Sequence, residues 1–130
     1  MASIFTKIVQ GEIPCFKVAE DEQFLAFLDI SPIEKGHTLV IPKKEVDYIF
    51  DLEEELYVGL HLFAKRVARA LEKTIECERI GQTVLGLEVP HAHIHLVPLI
   101  EVQFIDFRRR GELDAEAFAA LAKEIAGNFE

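Results

Sequence analysis

Residues His91-Ala92-His93-Ile94-His95-Leu96-Val97 place three of the chain's five histidines in strict alternation with apolar residues. A period of two belongs to extended backbone, where residues i, i+2 and i+4 share one face. A helix would throw successive members to nearly opposite sides. The segment therefore predicts a strand, read over Glu88–Val97, with three imidazoles on one face and Ala92, Ile94 and Leu96 turned into a core. Folding alone does not explain a face given wholly to imidazole, so the row points to catalysis or metal binding.

The rest of the chain sets the frame for that strand. Its 130 residues are 50% hydrophobic, enough for one domain, read as residues 1–130, with a real core. The formal charge of -9 argues against a nucleic-acid partner, because such binding runs on clustered Lys and Arg. The one basic cluster, Arg108-Arg109-Arg110, reads as a solvated loop. No apolar run resembles a secretory signal or approaches the roughly 20 residues of a membrane span, so a cytoplasmic protein with no membrane partner is expected. Cys15 and Cys77 are far apart and outside any Cys-x-x-Cys pattern, which predicts free, buried thiols.

Periodicity places the remaining elements. Ile4, Phe5, Ile8 and Val9 suit a short first helix that ends at Gly11. Cys15–Ala19 and Phe24–Leu28 read as a hairpin about the polar residues 20–23, and Gly36–Pro42 as a third strand. Asp51 and Glu54 form a capping pair for a long helix striped with Leu52, Leu56, Phe63, Val67, Ala70 and Leu71. Val58 and Leu62 lie off that stripe and hint at a second buried contact, such as a subunit interface; His61 beside them reads as a polar or interface residue. Arg79–Leu85 is a fourth strand. Asp114 caps a last helix that turns Phe118, Leu121, Ala122 and Ile125 inward. The expected class is α+β: a five-stranded antiparallel sheet with one long and one C-terminal helix packed on one face.

Two chemistries fit the histidine row. Next-but-one residues on a strand lie roughly 6.7 Å apart, so two imidazoles can converge on one zinc ion while the third is left out. That reading needs an outside ligand, as in His91, His93 and His37. The other chemistry is nucleophilic attack on phosphorus by a neutral imidazole whose second nitrogen holds the proton, with further imidazoles supporting the phosphate. It uses the whole row.

The motif His91-Ala92-His93-Ile94-His95-Leu96-Val97 resembles the histidine triad (HIT) signature, His-φ-His-φ-His-φ-φ, at each of its seven positions. The resemblance extends upstream through Gly11-Glu12-Ile13-Pro14, Leu25–Pro32 and Gly36–Lys43, and spans about residues 3–100, with a helical tail over about 112–130. It implies a homodimeric hydrolase of nucleoside 5′-phosphates substituted on the α-phosphate, with purine and first of all adenosine favoured. It implies no cofactor and no resident metal. By the same resemblance His93 is the nucleophile, forming a nucleotidyl-histidine. His95 contacts phosphate oxygens or the leaving group. The His91 carbonyl holds the nucleophile's other proton, and His37 supports the triad. Asp29 accepts from the ribose hydroxyls, and Phe27, Ile30 and Ile8 wall the base; Phe27 could equally be plain core. A histidine at position 95, rather than glutamine, points away from the uridylyltransferase branch. One departure stands out. Where the family carries Gly-Gln-Ser/Thr before the triad, this chain has Gly86-Leu87-Glu88. Leu87 cannot donate a hydrogen bond, and Glu88 would repel a phosphate that it faced. The departure keeps open a nucleotide-binding module with little turnover.

Overall fold

The structure, a computed structural model, describes residues 2–101 and 105–130. Its elements run α1 (Ile4–Val9), β1 (Lys17–Glu20), β2 (Phe24–Leu28), β3 (Thr38–Pro42), α2 (Glu54–Thr74), β4 (Arg79–Thr83), β5 (Ile94–Leu99) and α3 (Ala115–Gly127). The five strands form one antiparallel sheet in the order β1-β2-β3-β5-β4, so β5 inserts between β3 and the edge strand β4. The class is α+β, as the pattern of elements predicts.

Both faces of the sheet are covered. Alternate residues of the strands, among them Ala26, Leu28, Val40, Ile94 and Leu96, pack under α2 and α3 in the main core. Leu25, Phe27, Leu39 and Ile41 point the other way and bury Phe5 of α1 in a second, smaller cluster. The long and C-terminal helices therefore share one face, as expected, and α1 covers the other. Apolar residues fill all five positions of β2, so that strand needs cover on both sides.

The long helix starts later than its sequence signal. Asp51 belongs to a short 3-10 turn over Ile49–Asp51, and Glu53 precedes α2 without a side-chain cap. Leu52 is extended at the break. Ile49 and Leu52 are both buried on either side of this break. The buried stripe of α2 runs through Leu60, Phe63, Ala64, Val67, Ala70 and Leu71. Val58 and Leu62 remain exposed. Helix α3 follows its signals closely: Asp114 accepts from the Ala117 N–H at 2.8 Å, and the four predicted apolar residues are buried. No helix among the described residues is long and apolar enough to cross a membrane.

The histidine segment also departs from a simple strand. Pairing begins only at Ile94, and residues 88–93 form an irregular approach. The His91 N–H turns back to the Val89 carbonyl at 2.8 Å, and the Ala92 N–H bonds the Val46 carbonyl at 2.7 Å. Gly86, at φ +78°, allows the preceding turn. The alternation survives nonetheless, because Ala92, Ile94 and Leu96 are all buried in the main core.

Leu60 is fully buried, so Leu60→Ala should cost about 2–5 kcal/mol of stability. Urea unfolding with an unchanged slope would measure it.

Candidate active site

The histidines are held by a chain of hydrogen bonds that assigns each ring's proton. His91 Nε2 lies 2.7 Å from the Pro42 carbonyl, which can only accept. Nε2 therefore carries the proton, and Nδ1 accepts from the Ser3 hydroxyl at 2.9 Å. Ser3 caps α1 by accepting from the Thr6 N–H at 3.0 Å. Glu45 closes the cluster, receiving the Ser3 N–H and the Thr6 hydroxyl, each at 2.6 Å. Those two donors, the Ser3 N–H first, hold the Glu45 carboxyl down at about 2. The first helix is thus tied to the first histidine of the row.

The His91 carbonyl in turn accepts from His93 Nδ1 at 2.7 Å. In the neutral ring this leaves the lone pair on His93 Nε2. The ring sits edge-on to Phe5, with centroids 5.1 Å apart, and against His95 at 4.8 Å.

A second relay orders His95. The Ile33 N–H donates to His37 Nδ1 at 3.0 Å, so His37 Nε2 carries the proton and donates to His95 Nδ1 at 2.9 Å. His95 is left with its proton on Nε2. Burial pushes the His37 imidazole down to about 4 and the His95 imidazole down to about 3, and for His95 the facing histidines and Arg110 add to the effect. Both rings are therefore neutral near pH 7, as these bonds require. His37 itself precedes β3, peeled off the strand by its bonds to residues 29–34.

Seventeen of the described residues line a cavity of about 380 Å³ in front of these rings, within the range of small-ligand sites. Ile8, Phe27, Asp29, Ile30, His93 and His95 are among them. His91 and His37 stand behind, almost fully buried. Phe27 is both core and wall: it is 3% exposed and packs edge-on to Phe5 at 5.5 Å. Asp29 Oδ1 accepts from the Ser31 N–H at 2.8 Å, while Oδ2 receives Arg110 at 3.2 Å. Cys15 lines the same cavity; burial raises its thiol, so it stays protonated, and both cysteines are free.

Sequence patterning misses three contributors here. Phe5 props His91 and His93. Phe107 lies edge-on to His95 at 4.6 Å. Arg110, read from sequence as part of a solvated basic loop, instead joins the cavity wall, whereas Arg108 and Arg109 are exposed as expected. Nothing local marks Arg110, since its partners Asp29 and Glu88 are 81 and 22 residues away. Leu87 is 90% exposed and does not line the cavity; Glu88 does.

Among the described residues, three potential metal ligands come together as Asp29, His37 and His95, all within 4.8 Å of one another. This is not the set His91, His93 and His37, because His91 faces Ser3 and Pro42 instead. A cation at the observed trio would have to displace the proton that His37 gives to His95.

The depressed imidazoles make stability depend on pH. Between the unfolded value of 6.5 and the folded values of about 4 and 3, the unfolded chain binds more protons. Stability should be fully present above about pH 7 and decline as the pH falls from about 6.5 toward 4. Urea unfolding across that window should show the slope, and His95→Gln should flatten it.

The HIT domain model matches residues 10–102. Protein hit of Bacillus subtilis is 43% identical over 102 residues, covering 73% of this chain and 69% of that one. Adenosine 5′-monophosphoramidase HNT1 of Saccharomyces cerevisiae is 35% identical over 131 residues, covering 92% of this chain and 83% of the yeast protein. The crystal structure of a HIT-like protein from Bartonella henselae superposes with a TM-score of 0.86 at 30% identity, covering 98% of this chain and 96% of that one. With the triad, the sheet order and these matches in agreement, the chain belongs to the HIT family.

Proposed function

We propose that this protein is a nucleotide hydrolase that cleaves a nucleoside 5′-phosphate from a substituent on its α-phosphate. The observation that carries this reading is the bond from His93 Nδ1 to the His91 carbonyl, which in the neutral ring puts the lone pair on Nε2 of a residue that lines the cavity, as a nucleophile needs. In the first step Nε2 bonds to the α-phosphorus, and the bond to the leaving group breaks. His95 Nε2–H donates to a non-bridging oxygen, where negative charge builds in the transition state. The leaving group takes up a proton as it departs, and water then attacks the same phosphorus and gives up one proton in return. The P–N bond breaks, and the nucleoside 5′-phosphate departs from a restored His93. The apolar wall of Ile8, Phe27 and Ile30 takes the base, and Asp29 accepts from the ribose hydroxyls. Adenosine is favoured by the yeast relative's activity as an adenosine 5′-monophosphoramidase.

The working unit in this reading is a homodimer built on α2. Val58 and Leu62 expose 47% and 60% of their surface there. Nearby on the same helix, His61 Nε2 is buried without a hydrogen-bond partner among the described residues. A second copy would cover Val58 and Leu62.

His93→Ala and His93→Gly should each lower turnover of an adenosine phosphoramidate by roughly 10³-fold or more while AMP binding, measured by calorimetry, persists. Full activity in either variant would sink the covalent route. A wild-type protein that binds AMP tightly but turns over neither this compound nor a dinucleoside polyphosphate would be a binding module instead. Leu62→Glu should shift the sedimentation coefficient from dimer to monomer.

A further inference from the structure

Arg110 is the one Lys or Arg among the described residues that line the cavity. Its position is built rather than incidental. The following Gly111 N–H bonds the Pro32 carbonyl at 2.7 Å, which fixes the backbone beside the cavity. The guanidinium lies 5.3 Å from the Phe107 ring, and that ring abuts His95. One terminal nitrogen donates to Asp29 Oδ2 at 3.2 Å and to the Ser31 carbonyl at 3.0 Å. The other straddles both Glu88 oxygens at 3.1 and 3.3 Å.

These two carboxylate partners differ in a way that matters. Asp29 is 13% exposed and held by the Ser31 N–H, whereas Glu88 is 55% exposed. A half-exposed ion pair contributes little, so Glu88 can release the guanidinium to another anion and turn to water at small cost. A nucleotide phosphate entering this cavity meets two carboxylates, Asp29 and Glu88, and the neutral imidazole of His95. Arg110 is the cation that can offset them, and its planar fork matches phosphate oxygens as well as it matches a carboxylate.

We propose that Arg110 is the phosphate-binding residue of this site, standing in for the polar side chains missing at Leu87 and Glu88, and that Glu88 is the counter-ion it exchanges for the substrate phosphate. The inference rests on the nucleotide reading above. It assigns a substrate contact to the segment after the triad and accounts for a carboxylate at position 88 that would otherwise repel the ligand.

Calorimetry with AMP and with adenosine, on wild type and variants, tests it. Arg110→Ala should weaken AMP roughly ten-fold or more and leave adenosine within about two-fold, because a charge-assisted bond to phosphate is lost. Arg110→Lys should recover part of the AMP affinity. Glu88→Gln should tighten AMP several-fold by removing the competing carboxylate, and should lose that gain in the Arg110→Ala background. Equal weakening of AMP and adenosine by Arg110→Ala would mean that Arg110 only braces Asp29, and would overturn the proposal. So would unchanged AMP affinity in a folded Arg110→Ala protein, or a Glu88→Gln gain that survives without Arg110. Wild type that binds neither ligand would overturn the nucleotide reading itself, and this proposal with it.

Discussion

Burial of Ala92, Ile94 and Leu96 beneath α2 is the constraint on which the site depends. These side chains drive one face of residues 92–96 into the main core, so the alternating histidines have only the other face to occupy. A slip of one residue would turn three imidazoles into the apolar core and the apolar set toward the cavity. The register is thereby held by the hydrophobic effect, while the chemistry is carried by side chains that contribute little to it. The backbone need not be a regular strand throughout. Ala92 reaches the core from an irregular segment, pinned by its bond to Val46.

Once the row is placed, hydrogen-bonded backbone groups decide the protonation of its members. The carbonyls of Pro42 and His91 can only accept, and the Ile33 N–H can only donate. Each therefore dictates which nitrogen of its histidine partner bears the proton. His91, His93 and His37 each receive one tautomer from a fixed main-chain group, and His95 receives its own from His37. Because His37 and His95 are held neutral by burial, the pattern does not collapse into a set of competing cations. A neutral imidazole with a directed lone pair is what attack on phosphorus requires.

Much of the fold follows from local pattern. Phe24–Leu28, the short first helix and the capped last helix appear where apolar periodicity and turn residues place them. At Leu52 and at residues 88–93 the elements begin later than propensity places them, and at 91–92 main-chain bonds to Val89 and Val46 take the place of strand pairing. In the site, residues belonging to motifs were legible: His91, His93, His95, His37, Asp29, Phe27, Ile30 and Ile8 all lie in or directly behind the cavity. Phe5, Phe107 and Arg110 were not, since each acts through partners distant in the chain and carries no periodic signal.

By itself, the sequence determined that an imidazole row must face away from a buried apolar one, and that the row belongs to a HIT-type domain. Period-two alternation is a local property, and seven consecutive residues carry it. The tertiary structure alone decided the charge of the cavity. Whether Glu88 confronts the ligand space as a free carboxylate or as half of an ion pair depends on Arg110 arriving from 22 residues further on. Long-range electrostatic pairing has no sequence period, so only the folded chain could resolve it.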